Sequence, residues 1–255
     1  MVDIHSHILF GLDDGSRNFD ESMAMLRMAA EHGTTDIVAT PHANERYSYD
    51  PGTIADRIAE LSAVCLGVPR IHRGCDFHLS YKNLEDALRN PAKYTVNGGA
   101  YLLVEFSDQF ISPTTNQIFT ELFGRGITPI ITHPERNPHL RSRIEDLRSW
   151  VASGCLLQVT AQSLSGLFGK SAENSAWAML DSGLVHFIAS DSHNTAGRNP
   201  RLDTARALIE NRLGAEWAEA LFLLNPRAVI LNQPIEPQDL VSKKPVKKWY
   251  NFWSD

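Results

Sequence analysis

The chain has 255 residues, 43% hydrophobic and 21% charged, which suits one α/β domain with a substantial core and excludes a disordered chain. Its net charge of −6 speaks against a broad nucleic-acid-binding surface. Three widely spaced cysteines, Cys65, Cys75 and Cys155, form no CxxC pair, which argues against a disulfide framework or a thiolate zinc site and for a cytoplasmic location. Strand-like sequence begins at Val2, leaving no room for a signal peptide, and no apolar run reaches the ~20 residues needed to span a bilayer.

Strand and helix signals alternate along the chain. A strand over Val2–His5 leads into a turn-rich loop, Gly11-Leu12-Asp13-Asp14-Gly15. Asn18 then caps a helix, with Glu21 three residues on as a capping box. Phe19, Met23, Leu26 and Ala30 share one face of that helix, and Gly33 takes the position after its end. The second strand centres on Ile37-Val38 and is followed by a helix over Thr53–Val64. The third, fourth and fifth strands end at Asp76, Glu105 and Thr132. The sixth is Leu156–Thr160 and the seventh Val185–Ser190. Helices over Asn116–Phe123, Ile144–Ala152, Glu173–Leu180 and Thr204–Asn211 fill the gaps. About seven β/α units result, in one domain. Gln233–Asp255 lacks apolar periodicity and reads as a tail, with Lys243, Lys244, Lys247 and Lys248 ahead of Trp249-Tyr250-Asn251-Phe252-Trp253. Such a tail is either solvated or suited to touch an anionic membrane surface or a neighbouring subunit.

The chemistry recurs at one structural address. His5, His7, His42, Asp76, Glu105, His133 and Asp191 each close or just follow a short apolar run. If those runs are parallel strands of a barrel, their imidazoles and carboxylates meet at the C-terminal mouth, where barrel enzymes place their reactive groups. A doubly wound open sheet would gather ligands at a single switch point, so the barrel is the favoured fold. His5 and His7, two apart on a strand, share a face, and Asp191 and His193 repeat that alternation. One of Asp13 and Asp14 belongs with the set, Asp14 being the better placed. With up to five His and four carboxylates, the set exceeds what one ion of four to six ligands uses. It therefore points to two or three divalent cations, about 3.5–4 Å apart and bridged by carboxylates. Imidazole and carboxylate without sulfur suit manganese, iron or zinc.

The motifs Asp3-Ile4-His5-Ser6-His7, Asp13-Asp14-Gly15, Ala39-Thr40-Pro41-His42, Leu103-Val104-Glu105-Phe106, Thr132-His133-Pro134-Glu135-Arg136 and Ser190-Asp191-Ser192-His193-Asn194, with Arg198 behind, cover residues 1 to about 230. In order and spacing they resemble the polymerase and histidinol phosphatase (PHP) superfamily. They resemble above all its bacterial manganese-dependent protein-tyrosine phosphatase branch, encoded with capsule and exopolysaccharide genes. That resemblance implies a distorted (β/α)7 barrel holding three metals. It assigns His5, His7, Asp191 and a bridging Asp76 to one ion, Asp76, Glu105 and His133 to a second, and Asp14, His42 and His193 to a third. Arg136 and Arg198 would bind the substrate phosphate. One departure is visible: Asp76 stands where that branch usually has Glu.

Independently, two arginines at a cation-lined mouth suit a phosphate dianion, which guanidinium grips bidentately. The expected chemistry is in-line attack on phosphorus by a metal-bridging hydroxide. A cysteine-dependent tyrosine phosphatase is excluded, because the residues six beyond Cys65, Cys75 and Cys155 are Ile71, Tyr81 and Ala161, where Cys-x5-Arg requires arginine. The expected substrate, from the resemblance, is a phosphotyrosine protein such as a membrane-associated bacterial tyrosine kinase. Arg46 and the Tyr47–Pro51 loop would lie by the peptide and its ring. His78, on the same strand face as Asp76, is a candidate supporting residue, and Gln158 an interior hydrogen-bonded one. A histidinol-phosphate or other small-molecule phosphatase and a metal-binding structural barrel without turnover are the rival readings.

Overall fold

The computed structural model describes residues 1–65 and 69–235. Its elements run β1 (Val2–Ser6), α1 (Phe19–Glu31), β2 (Asp36–Ala39), β3 (His42–Ala43), α2 (Pro51–Cys65), β4 (Arg70–Arg73), β5 (Asp76–His78), α3 (Tyr81–Arg89), α4 (Pro91–Tyr94), β6 (Tyr101–Glu105) and α5 (Thr115–Gly124). Then follow β7 (Thr128–Thr132), α6 (Ile144–Ala152), β8 (Leu156–Thr160), α7 (Lys170–Asp181), β9 (Phe187–Ala189), α8 (Asp203–Leu213), α9 (Ala215–Glu219) and α10 (Asn225–Ile230). The strands form two all-parallel sheets, β1-β2-β4 and β3-β5-β6-β7-β8-β9, with the α/β alternation that the sequence led us to expect.

Local chemistry explains the boundaries. The Asn18 side chain accepts from the Glu21 N–H at the start of α1 (3.0 Å), as the capping pattern predicts. Asp50 caps α2 by accepting from Thr53 N (2.8 Å), and Pro51 opens the helix where a missing N–H costs nothing. Two expectations change. The strand expected to end at Asp76 is split, with β4 stopping at Arg73 and Asp76 opening β5. The second strand likewise breaks, and His42 opens β3. The breaks fall at Thr40-Pro41 and Gly74-Cys75, and the two bends nest: a Cβ on Gly74 would lie 2.7 Å from Val38 Cγ1. Helices α3 and α4, and the helical segment after residue 214, had no expectation attached.

The two sheets are joined at both ends. Gly74 N donates to Ala39 O and Asp76 N to Pro41 O, so backbone bonding continues across both bends. On the other side His7 N donates to Ser192 O (2.8 Å) and Asp191 N to His5 O (2.8 Å), while buried Asp3 accepts from Ser190 N (3.0 Å).

Strand residues alternate between two apolar clusters, one including Ile37, Leu102, Val104, Ile131, Leu157 and Ile188 beneath the helices, the other Val2, Ile4, Val38, Leu103, Ile130 and Phe187. The alternation is that of strands buried on both faces. It is interrupted once: between Asp3 and Ser6, β1 carries one residue more than the partner stretch Ile37–Ala39. Such bulges re-aim side chains. Ile4 faces the second cluster, and the extra residue lets His5, its neighbour, also turn toward the functional groups described below. Near the C-terminus Gln233 is tied down: its N–H donates to Ala228 O and its carbonyl accepts from the Tyr101 hydroxyl (2.6 Å). From residue 236 on, the expected basic and aromatic tail lies outside the described residues.

Candidate metal centre

All nine predicted ligand residues meet in one cluster, Glu105 from the end of β6, His133 and Asp191 from just after β7 and β9, and His42 and Asp76 from the bends where β3 and β5 begin. His5 and His7 bring their Nε2 atoms to 3.4 Å. Asp76 Oδ2 lies 3.5 Å from His5 Nε2, 4.0 Å from His7 Nε2 and 3.1 Å from His42 Nδ1. Glu105 faces His42 Nδ1 (3.6 Å) and His133 Nε2 (3.7 Å) with different oxygens. Asp14 Oδ1 sits 3.4 Å from His42 Nε2 and 3.5 Å from His193 Nε2. Asp191 Oδ1 lies 3.3 Å from His7 and 3.5 Å from His5. Ligand atoms of His7, Asp14, His42 and His193 lie within 4.8 Å of one another, as do those of His5, His7 and Asp76, and those of His42, Asp76 and Glu105. His7 and His42 each belong to two groups, so they are shared more than the expected three-way partition implies.

The set fits divalent cations. Both oxygens of fully buried Asp76, and buried His42 Nδ1, lack hydrogen-bond partners, and a buried carboxylate in that state is costly unless something positive reaches it. Imidazole rings crowd together, His7 and His193 at 4.0 Å between centroids, which suits ions as the common partner. The donors are nitrogen and oxygen only, the mixture borderline and hard cations take.

Three of the five imidazoles, those of His5, His7 and His193, are aimed by a partner behind them. Gln158 Oε1 lies 2.9 Å from His5 Nδ1, Asp13 Oδ2 lies 2.7 Å from His7 Nδ1, and the Asp191 carbonyl lies 3.0 Å from His193 Nδ1. With Nδ1 donating, Nε2 is left as a free ligand, the arrangement that orients metal-binding histidines. Asp13 and Asp14 thus divide the work. Asp14 faces the cluster, while Asp13 also accepts from His42 N (3.1 Å) and Gly15 N (2.9 Å). Gly15 permits this loop: a Cβ there would lie 2.2 Å from the His7 carbonyl oxygen. Asp13 as an orienting group had only its neighbourhood to a ligand as a sequence signal. His78 Nδ1 lies 3.7 Å from Glu105 Oε2, in the supporting place its strand position suggests. His133 and Asp191 take positive φ values of 34° and 49°, conformations non-glycine residues adopt rarely and mostly at functional sites.

Without cations, protons take up the charge. Burial alone would lower the His7 pKa, but the Asp13 carboxylate raises it to about 9. Burial likewise works against ionised Asp76, yet the positive charges of His5 and His42 hold its carboxyl well below the usual range. Burial, then the Arg136 charge, pushes His133 down to about 3, and burial with the His7 charge pushes His193 to about 4. Glu105 is raised by burial and by the neighbouring Asp76 charge.

Arg136 and Arg198 both reach Asp191 Oδ2, Arg198 at 2.6 Å. The carboxylate therefore faces imidazoles with one oxygen and guanidiniums with the other. Arg198 Nε is buried without a partner, and Arg136 lies over the Phe168 ring, 4.2 Å from its centroid. Among the predicted neighbours, Tyr47 stacks on His42 (centroids 6.0 Å) and Arg46 lies over Tyr47. The three cysteines are free, Cys75 and Cys155 buried in the core.

The sequence profile of the capsular polysaccharide synthesis family CpsB/CapC matches residues 1–231. This chain belongs to the CpsB/CapC family. Within that family it is 36% identical to CapC of Staphylococcus aureus, over 99% of this chain and all of that one. It is 32% identical to the tyrosine-protein phosphatase YwqE of Bacillus subtilis, over 93% of this chain and 96% of that one. In three dimensions this CpsB/CapC chain superposes at a TM-score of 0.86 on a crystal structure from a set of two proteins, YwqE and CpsB of Streptococcus pneumoniae, described as metal-dependent tyrosine phosphatases. The match has 31% identity over 92% of this chain and 96% of that one. Among the described residues, no helix is long and apolar enough to cross a membrane.

Proposed function

We propose that this chain is a metal-dependent protein-tyrosine phosphatase acting on a phosphotyrosine protein. The observation that carries the reading is the convergence of nine His, Asp and Glu side chains beside two arginines that share one carboxylate oxygen. The names of its relatives support the same reaction.

His5, His7, Asp191 and Asp76 would hold one ion, Asp76, Glu105 and His133 a second, and Asp14, His42 and His193 a third, with manganese as the expected metal and iron or zinc as substitutes. Divalent cations there lower the pKa of a bound water and offset charge on phosphoryl oxygens. Arg136 and Arg198 grip the remaining phosphoryl oxygens, and the unpartnered Arg198 Nε supplies a donor for one of them. Gln158 and Asp13 hold His5 and His7 in a single ring orientation, which fixes the pocket before substrate arrives. A phenoxide leaving group, whose parent acid has a pKa of about 10, asks little of a general acid.

The same reading treats the two sheets as one distorted (β/α)7 barrel, with β2–β3 and β4–β5 as single bent strands; the backbone bonds between β1 and the segment after β9 support it. It takes residues 1–232 as the phosphatase domain and 233–255 as an appended tail. It also places the protein in the cytoplasm, meeting the phosphotyrosines of a membrane-associated bacterial tyrosine kinase that controls capsule or exopolysaccharide synthesis.

Phosphate release from a phosphotyrosine peptide tests the proposal. Release is expected with manganese, and is expected to be lost with a chelator and in His133→Ala. Equal or faster hydrolysis of histidinol phosphate would favour the small-molecule rival, and no hydrolysis of any aryl phosphate by metal-loaded protein would sink the enzyme reading.

A further inference from the structure

Between β8 and α7 the chain makes a turn, Gly166-Leu167-Phe168-Gly169, that the reaction above leaves unused. Both glycines have left-handed backbone, φ 83° and 86°, which a residue with a Cβ adopts at a cost, so the two residues between them are held out as a tip. Leu167 is 48% exposed. Phe168 is half-buried and packs on neither apolar cluster. Its ring instead carries the Arg136 guanidinium on one face. The tip is tethered on its other side as well. Leu167 N donates to Gln162 O (3.1 Å), and Gln162 Nε2 donates to the carbonyl of Asn199 (2.6 Å), the residue after Arg198. An aromatic side chain thus stands against one of the two phosphate-binding arginines, on a tip whose tether runs through Gln162 to the residue after the other.

We propose that Phe168 is a specificity-determining residue that receives the aryl group of the substrate. This rests on the phosphotyrosine reading above. A guanidinium binds a phosphate with its edge, through N–H donors at about 2.7–2.9 Å, and leaves its faces for aromatic rings. With Phe168 against the face of Arg136, a phosphoryl group at the edge lies one ring-width from Phe168, and so does the ester substituent it bears. Aromatic pairs are favourable at centroid spacings of about 4.5–7 Å, edge-to-face or offset. A phenyl ester can meet Phe168 in that range, whereas a serine phosphoester offers it one methylene. The partially exposed ring and the exposed Leu167 beside it give the apolar contact a surface to continue on.

Two measurements decide it, on the full chain. The first is kcat/KM with manganese for a phosphotyrosine peptide and for the same peptide with phosphoserine. The second is binding of phenylphosphonate and of inorganic phosphate, free of turnover. In Phe168→Ala the aryl-over-alkyl preference is expected to fall about tenfold, through KM, and phenylphosphonate affinity to fall with it. Inorganic phosphate binding is expected to hold, and Phe168→Trp to keep the preference; thermal unfolding checks that both variants fold. Equal losses for phenylphosphonate and phosphate would mean that Phe168 only supports Arg136, and no change in either would remove it from the site; both overturn the inference. A wild-type chain that hydrolyses no phosphotyrosine overturns the reading under Proposed function, and the binding comparison still rules on Phe168 alone.

Discussion

At the scale of single residues, the centre consists of ligands and the groups that aim them. The ligands were legible because chemistry-bearing residues at strand ends leave a pattern: an apolar run, then His, Asp or Glu. The aiming groups were less so. Asp13 sits beside Asp14 in sequence, and only the turn built around Gly15 sends one carboxylate to His7 Nδ1 and the other to His42 and His193. Nothing in the pair itself distinguishes them. Asp13→Asn is expected to keep the fold while weakening metal binding about 10- to 100-fold, the usual cost of losing an orienting partner. Metal titration of apo-protein, followed by calorimetry, checks this, and an affinity equal to wild type would return Asp13 to an ordinary turn residue. Asp76 was legible as a carboxylate closing an apolar run. Its burial and unpartnered oxygens show why the position matters, since the imidazoles of His5, His7 and His42 face it with the Glu105 carboxylate close by.

At the scale of elements, periodicity located most strands and helices, but it could not see geometry that arises between them. The breaks at Pro41 and Gly74 turn two expected strands into four short ones, because a missing N–H and a close approach to Val38 prevent a straight ladder. The extra residue in β1 is a matter of pairing and has no composition signal. Helix α3 did have one: Ser80 accepts from Asn83 N at its start, and Leu84 and Ala87 are buried at helical spacing. The junction of β8 and β9 carries a further expectation. The His186 ring accepts the Leu157 N–H at Nδ1 (3.2 Å), and burial lowers its pKa to about 4 from an unfolded value near 6.5. Above pH 6.5 both states are neutral and the group contributes nothing to pH dependence. As pH falls from 6.5 toward 4, the unfolded chain takes a proton that the folded one refuses, so stability drops and levels off below 4. Urea unfolding of wild type and His186→Gln at pH 7 and 5 reads this. The wild type is expected to lose about 1 kcal/mol more over that interval, after allowing for the ring's partial exposure. Equal losses would show that His186 titrates normally.

At the scale of the whole molecule, the fold is a device for collecting residues 5 to 193 at one end of a parallel sheet system. The sequence shows the alternation of strand and helix, but not the order in which strands pair, nor that hydrogen bonds from β1 reach the segment after β9, since those depend on which edges remain open once the helices have packed. Because the centre holds the fully buried Asp76 carboxylate without hydrogen-bond partners, its ions are expected to stabilise the entire domain. Manganese at about a hundred times its dissociation constant adds about 2.7 kcal/mol, which for a domain of this size raises Tm by about 5–10 °C. Scanning calorimetry with manganese and with a chelator measures the shift, and Asp76→Ala should abolish most of it. An unchanged Tm would mean that the cluster is not a cation site.

The hydrogen bonds that run from the backbone of His5 and His7 to residues 191 and 192 also set a timetable. Synthesis begins at the amino terminus, so the first two imidazoles leave the ribosome long before the carboxylate of Asp191 exists. Seven of the nine ligands are made by residue 133, and Asp191 and His193 join them only near the end of synthesis. Maturation becomes a single late event, in which the last strand docks beside the first and metal capture coincides with completion of the fold.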